Sequence, residues 1–222
     1  MNPDPPAGAA GSWRLGEWTV NRLGLGAMRL TGTEGALGTA ADRAQSIRVL
    51  RRAIELGVNH IDTAAFYVSS LGPANELIRQ ALSPYPDDLV ITTKVVPGRG
   101  ALGEPSPATG PEQLRSQVVE NLRQLGLDSL QVVNLRVLGP ARLAEHFGAL
   151  ADLRAEGLIG HLGISAVRPD HLAEAQAIAP VVCVQNRYNL DEQMGGSGEL
   201  MLLCGQQTIA FVPYFAIAGK GR

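Results

Sequence analysis

The run Gly57-Val58-Asn59-His60-Ile61-Asp62-Thr63-Ala64-Ala65-Phe66-Tyr67 decides how this chain is read. It opens on a glycine of the kind that stops a helix. A strand pattern follows over residues 58–62, and an acid and a phenol stand at its end and just beyond. Upstream, Asp42 can cap a helix reaching residue 56, with Ile47, Leu50 and Ile54 at helical spacing. Downstream, a helix over 73–82 turns Leu77, Ile78 and Leu82 inward. Residues 89–95 are a continuous apolar and β-branched run, the pattern of a strand buried on both faces.

The same alternation extends in both directions. Residues 13–20 read as a hairpin, 23–25 as a first core strand, and a Gly-rich loop runs on through Gly38. Residues 96–110, rich in Gly and Pro, are the longest break and a candidate substrate lid. Beyond them come a helix over 111–125 stopped at Gly126, a strand over 130–137, and a helix over 140–156 stopped at Gly157. Strands at 160–165, 181–185 and 208–212 alternate with helices at 169–179 and 199–206.

Seven strands, each but the last followed by a helix, imply parallel βαβ units with right-handed crossovers. A Rossmann-like open sheet competes, but Leu23-Gly24-Leu25-Gly26-Ala27-Met28 matches its phosphate fingerprint only in part. The reading is an α/β TIM (β/α)8-type barrel with an N-terminal β-hairpin. It is incomplete, with about seven βα units and the eighth strand and helix missing. Residues 12–222 form one domain, and the Pro/Gly/Ala-rich residues 1–11 read as a flexible tail.

The 222 residues suffice for a single core, and a formal net charge of −2 offers no field for nucleic acid or an anionic membrane. No apolar run is long enough to span a bilayer. Cys183 sits in an apolar stretch with only Cys204 as a second thiol, so no disulfide framework is indicated, which fits a reducing cytoplasm. The histidines show no metal-ligand spacing. His60 is read as alternating away from Asp62 to pack against a helix.

In such a barrel functional groups gather where strands end. Asp62 and Tyr67 follow the second strand, Lys94 ends the third and Arg136 the fourth. A phenol has an unperturbed pKa of ~10, and a nearby ammonium lowers it. A carboxylate keeps that ammonium charged and oriented. The set describes a tuned phenol that protonates a carbonyl oxygen as hydride reaches the carbon.

With these residues in place the chain resembles the aldo-keto reductase superfamily. The motifs are Asn21-Arg22-Leu23-Gly24-Leu25-Gly26, the opening run through Tyr67, Thr92-Thr93-Lys94, Leu125-Gly126-Leu127-Asp128, Gly160-x-x-Gly163-Ile164-Ser165 and Val184-Gln185-Asn186-x-Tyr188-Asn189. Val132 to Arg136 is similar to the bacterial pyridoxal reductase branch. The resemblance implies NADPH-dependent reduction of an aldehyde or ketone, pyridoxal-like substrates included, with Tyr67 as general acid, Lys94 as its partner and Asp62 behind the lysine. Arg136 stands where most members have histidine. It offers five donors but cannot exchange protons as histidine does, and it would grip an oxyanion or ring hydroxyl or else pair with Asp62. For NADP(H), the resemblance implies Ser165 and Gln185 on the carboxamide, Tyr214 stacked on the ring, and Gly26, Ala27 and Met28 beside it.

The chain also departs from the family pattern. Ala166 replaces the usual Asn, Val68 the usual Gly, and Phe215-Ala216-Ile217-Ala218-Gly219 the usual pyrophosphate loop. The family continues beyond the position of Arg222 with an eighth strand and residues that clamp the adenosine phosphate. Weakened cofactor binding and self-association through an open barrel edge are therefore expected alongside a monomer. Two other readings stay open: a cofactor-independent isomerase, cyclase or lyase, and a non-catalytic truncated homologue.

Overall fold

The computed structural model describes residues 6–31, 40–96, 98–99, 105–106, 110–137, 143–190 and 196–217. An antiparallel hairpin, β1 (Ser12–Leu15) and β2 (Trp18–Asn21), precedes the main fold. The chain then runs through β3 (Leu25–Gly26), α1 (Ala40–Glu55), β4 (His60–Asp62), the small hairpin β5 (Val68–Ser69) and β6 (Gly72–Pro73), and α2 (Ala74–Leu82). Next come β7 (Val90–Val95), the paired β8 (Gly98–Arg99) and β9 (Pro105–Ser106), α3 (Pro111–Leu125), β10 (Leu130–Arg136) and α4 (Leu143–Ala155). β11 (Ile159–Ser165), α5 (Pro169–Gln176), β12 (Val181–Arg187), α6 (Ser197–Gln206) and β13 (Ala210–Tyr214) complete it.

The main sheet has seven strands in the order β13-β12-β11-β10-β7-β4-β3, every neighbouring pair parallel. This is the TIM-type (β/α) barrel architecture, with strand order following chain order as repeated βαβ units require. All six residues of β7 are buried, as its unbroken apolar pattern requires. One set of strand side chains, including Ile61, Ile91, Val133, Leu162, Ile164 and Val184, packs under the helices in the larger core. The alternate set, Val90, Val132, Cys183 and Ala210, meets Leu15 and Val20 of the hairpin. The hairpin thus stoppers the barrel near the strands' N-terminal ends and leaves their C-terminal ends open for chemistry. At the hairpin Trp18 sits edge-on to His161 at 5.1 Å, and His161 Nε2 lies 2.8 Å from Glu17 Oε2.

Local signals place most boundaries. Gly126 ends α3 at φ +68, its N–H donating to Leu122 O at 2.8 Å; a Cβ there would be strained and would press on Arg79. α1 begins at Ala40, so Asp42 lies in its first turn instead of capping it, still favourable at the positive end of the helix dipole. The last strand runs two residues further than expected, because Thr208 at φ +59 belongs to the preceding turn. Tyr214 is therefore the last residue of β13. The first core strand is Leu25–Gly26 and not residues 23–25. Within the stretch read as a tail, Ala7 is anchored to the domain: it is fully buried and its N–H donates to Leu56 O at 2.9 Å, while Pro6 and residues 9–11 are exposed. Composition does not show this, since a distant carbonyl supplies the anchor. The expected lid lies mostly outside the described residues.

Candidate active site

β4 and β7 are paired so that Asp62 faces Thr92, which brings Lys94 to the level just above the acid. Lys94 Nζ donates to Asp62 Oδ1 at 2.6 Å, to Asp62 Oδ2 at 2.7 Å and to Thr63 O at 3.1 Å. The pair is largely buried, with 5% and 14% of the two side chains exposed. Burial alone would drive the lysine down, but Asp62 and then Tyr67 outweigh it, and the ammonium stands above the ordinary lysine range.

Tyr67 comes from the loop after β4, pinned at both ends: its N–H donates to Ala64 O at 3.1 Å, and its carbonyl accepts from Ala74 N–H at 2.8 Å. Lys94 Nζ lies 5.1 Å from the centre of its ring. Here the balance differs from the expectation. Burial, the largest effect, pushes the phenol above the ordinary tyrosine range, and the attraction of Lys94 and Arg136 for the phenolate opposes this without cancelling it. The phenol is thus protonated at neutral pH.

Arg136 ends β10 and lines the same cavity as Asp62 and Tyr67. It is half-buried, and no ion pair or hydrogen bond ties its guanidinium to another described residue. Pairing with Asp62 is not what the geometry shows: among the described residues the ion pair of Asp62 is with Lys94, and none joins it to Arg136. His60 is a correction. It lines this cavity, with Nε2 3.0 Å from Thr92 Oγ1. Residues two apart on a strand share a face, so His60 sits on the side of Asp62 and not opposite it. Burial holds its imidazole below the ordinary histidine range, Asp62 opposing and Lys94 adding.

The cavity, about 1010 Å³, also takes in Gly26, Met28, Gln185 and Tyr214. Lys94, Ser165 and Ala27 are buried behind its wall. The strand registers Arg136↔Ser165 and Ser165↔Gln185 put these groups on one level. Gln185 is 2% exposed and its Oε1 is buried with no hydrogen-bond donor among the described residues. Ala166 holds φ +59, with its N–H donating to Gln185 O at 3.0 Å. Asn186 fixes that turn: its Oδ1 accepts Val167 N–H at 2.9 Å and its Nδ2 donates to Val167 O at 2.7 Å. The sequence motif contained Asn186, but its role as a clamp needed the fold. Asn189 Nδ2 donates to Phe215 O at 2.9 Å, and Tyr188 lines the cavity, edge-on to Phe211 at 5.8 Å.

Both cysteines are free and buried, with the Cys183 thiol pushed up to about 12 by burial. Among the described residues no group of His, Cys, Asp or Glu gathers as a metal site, and no helix is long and apolar enough to cross a membrane.

A parallel barrel with an acid–lysine pair and a phenol at its open mouth defines an oxidoreductase class, and the chain belongs to the aldo/keto reductase family, whose model matches residues 22–221. It is 44% identical over 220 residues to pyridoxine 4-dehydrogenase of Escherichia coli (strain K12), covering 95% of this chain and 74% of that protein. Among solved structures, the glycerol dehydrogenase of Gluconobacter oxydans superposes with a TM-score of 0.80 at 22% identity, over 93% of this chain and 64% of that one. An aldo-keto reductase from Klebsiella pneumoniae in complex with NADPH superposes with a TM-score of 0.71 at 28% identity, over 91% and 66%.

Proposed function

We propose that this chain reduces an aldehyde or ketone to the alcohol with NADPH, using Tyr67 as the proton donor. The observation that carries this reading is the Lys94 ammonium, clamped by Asp62 at 2.6 and 2.7 Å and set 5.1 Å from the Tyr67 ring centre. The residues present fit a nicotinamide. Gln185 lines a cavity that Tyr214 and Gly26 share, and its buried Oε1, without a donor among the described residues, needs an N–H group such as a carboxamide. Ser165 stands beside it in register.

The dihydronicotinamide, when bound, supplies the hydride that reaches the carbonyl carbon. Tyr67 Oη donates its proton to the carbonyl oxygen, so that C=O becomes CH–OH. Lys94 stabilises the phenolate left behind until solvent reprotonates it, and Asp62 keeps Lys94 charged and aimed. Arg136, uncommitted to any described carboxylate, binds an oxyanion or ring hydroxyl of the substrate. The pyridoxine 4-dehydrogenase relative, at 44% identity, supports an aromatic, pyridoxal-like aldehyde as that substrate.

NADPH fluorescence titration and turnover together test the reading. Binding with turnover is expected, and Tyr67→Phe should lower kcat by about 10²–10⁴-fold with little change in NADPH affinity. No NADPH binding would sink it and leave a cofactor-independent reaction as the alternative. Arg136→Leu should raise KM for an aldehyde bearing an ionisable ring hydroxyl by about 10–100-fold, the worth of a hydrogen bond to a charged group. An aldehyde without that hydroxyl should be much less affected; equal losses for both would remove the assignment.

A further inference from the structure

Behind Asp62 and Lys94, on the helix side of the sheet, lies a second set of polar side chains that the chemistry above does not use. Thr63, Asn75, Thr93 and Asn121 are all fully buried. Thr63 Oγ1 donates to Asn75 Oδ1 at 2.7 Å, and Asn75 Nδ2 donates to Asn121 Oδ1 at 3.0 Å. The same Asn121 oxygen accepts from Thr93 Oγ1 at 2.5 Å. Asn121 Nδ2 donates to Gln117 O at 2.8 Å, and Gln117 Oε1 accepts the N–H of Val96 at 2.7 Å.

The web is attached to the site at both of its strands. Thr63 is the residue after Asp62, and its carbonyl accepts a hydrogen bond from Lys94 Nζ at 3.1 Å. Thr93 and Val96 bracket Lys94. Strand alternation sends the Thr93 side chain outward toward α3 while Lys94 points inward. Asn75, in the first turn of α2, and Asn121, on α3, thus join two helices to the two strands that carry the ion pair. Each such hydrogen bond nets only about 0.5–1.5 kcal/mol, so apolar packing could hold these elements together equally well. Apolar contact does not fix their relative height, whereas a web of directional bonds with every partner met specifies one arrangement.

We propose that Asn121, together with Asn75, is a positioning residue for the Lys94 ammonium, acting through the hydroxyls of Thr63 and Thr93. It sets the height of the Thr63 carbonyl and of the Lys94 backbone, and so where Nζ sits beneath the phenol. The inference rests on the role given to Lys94 in the proposed function, but its test includes a readout that needs no turnover.

The chain has two lysines, Lys94 and Lys220. Protein labelled with 15N at the lysine side chain therefore yields at most two ammonium signals, and Lys94→Met assigns the buried one. In the full chain, Thr93→Val keeps the volume and deletes the hydroxyl, and Thr93→Ser restores the hydroxyl. Asn121→Leu removes the hub, and Thr93→Val serves if that variant fails to fold. Thr93→Val should shift or broaden the Lys94 signal and lower kcat by about 10-fold, the scale of a sub-ångström misplacement, with KM within about twofold. Thr93→Ser should recover both. A wild-type Lys94 signal and kcat in Thr93→Val would overturn the proposal. A Lys94 signal that depends on Thr93 in a chain without NADPH-dependent turnover would instead uphold the positioning and overturn the proposed reaction.

Discussion

The two halves of the barrel mouth are built on different terms. On β4 and β7 the polar groups meet one another: Asp62, Lys94 and the Thr63 carbonyl form a closed set, backed by Asn75 and Asn121. On β11 to β13 Asn186 is met by the Val167 backbone, but one buried acceptor is left over. Gln185 Oε1 has no donor, and Ala166 and Phe215 hold positive φ values of 59 and 54. The first half is organised before any ligand arrives. The second carries an unmet buried acceptor, a feature that gathers where a ligand is to be bound, whereas positive φ occurs in both halves, at Val96 (61) just beyond β7 as well as at Ala166 and Phe215. Under the proposed function the contrast has a reason: a proton-donating centre needs its geometry in advance, whereas a cofactor cradle gains affinity from groups left for the cofactor to satisfy.

Substitutions can break or sharpen this contrast. Asp62→Asn should have the largest effect on the folded state. It leaves the Lys94 ammonium buried without its counter-charge, and loss of one partner of a buried pair costs about 3–5 kcal/mol. Urea unfolding measures this, and a loss comparable to that of a surface ion pair would mean the first half is not closed as described.

Gln185→Leu should act in opposite senses on the free and bound chain. Removing a buried acceptor without a partner relieves a penalty of about 1–3 kcal/mol, so the unliganded chain should be as stable as wild type or more so. NADPH affinity should fall by about 3- to 10-fold, the net worth of one hydrogen bond. Thermal melting with and without NADPH reads both, and destabilisation of the free chain would erase the contrast.

The smallest effect belongs to Ala166→Asn. Asparagine enters the left-handed region more readily than alanine, so this change should stabilise by about 0.5–1 kcal/mol. If its side chain reaches the carboxamide, NADPH affinity should rise as well. A destabilised variant would show that the φ of +59 is not the source of strain.

Some of this was legible from residues alone and some was not. The helix stop at Gly126, the buried run of β7 and the order of strands and helices follow from φ preferences and periodicity, which are properties of neighbouring residues. His60 was equally legible, since the period of two that places Asp62 inward places His60 there too. The rise of Tyr67 was not: the sequence shows an ammonium able to pull the phenol down, but not the burial that outweighs it.

By itself the sequence determined the succession of βα units and which polar residues stand where strands end, because those depend on local backbone preference and side-chain spacing. Only the tertiary structure decided that Lys94 takes both oxygens of Asp62, that Asn121 joins Thr93 to Asn75, and that among the described residues Arg136 has no carboxylate partner and Gln185 Oε1 no donor. The physical reason is that solvation and hydrogen-bond satisfaction are set by groups that meet across dozens of residues, and no local pattern records which of them will meet.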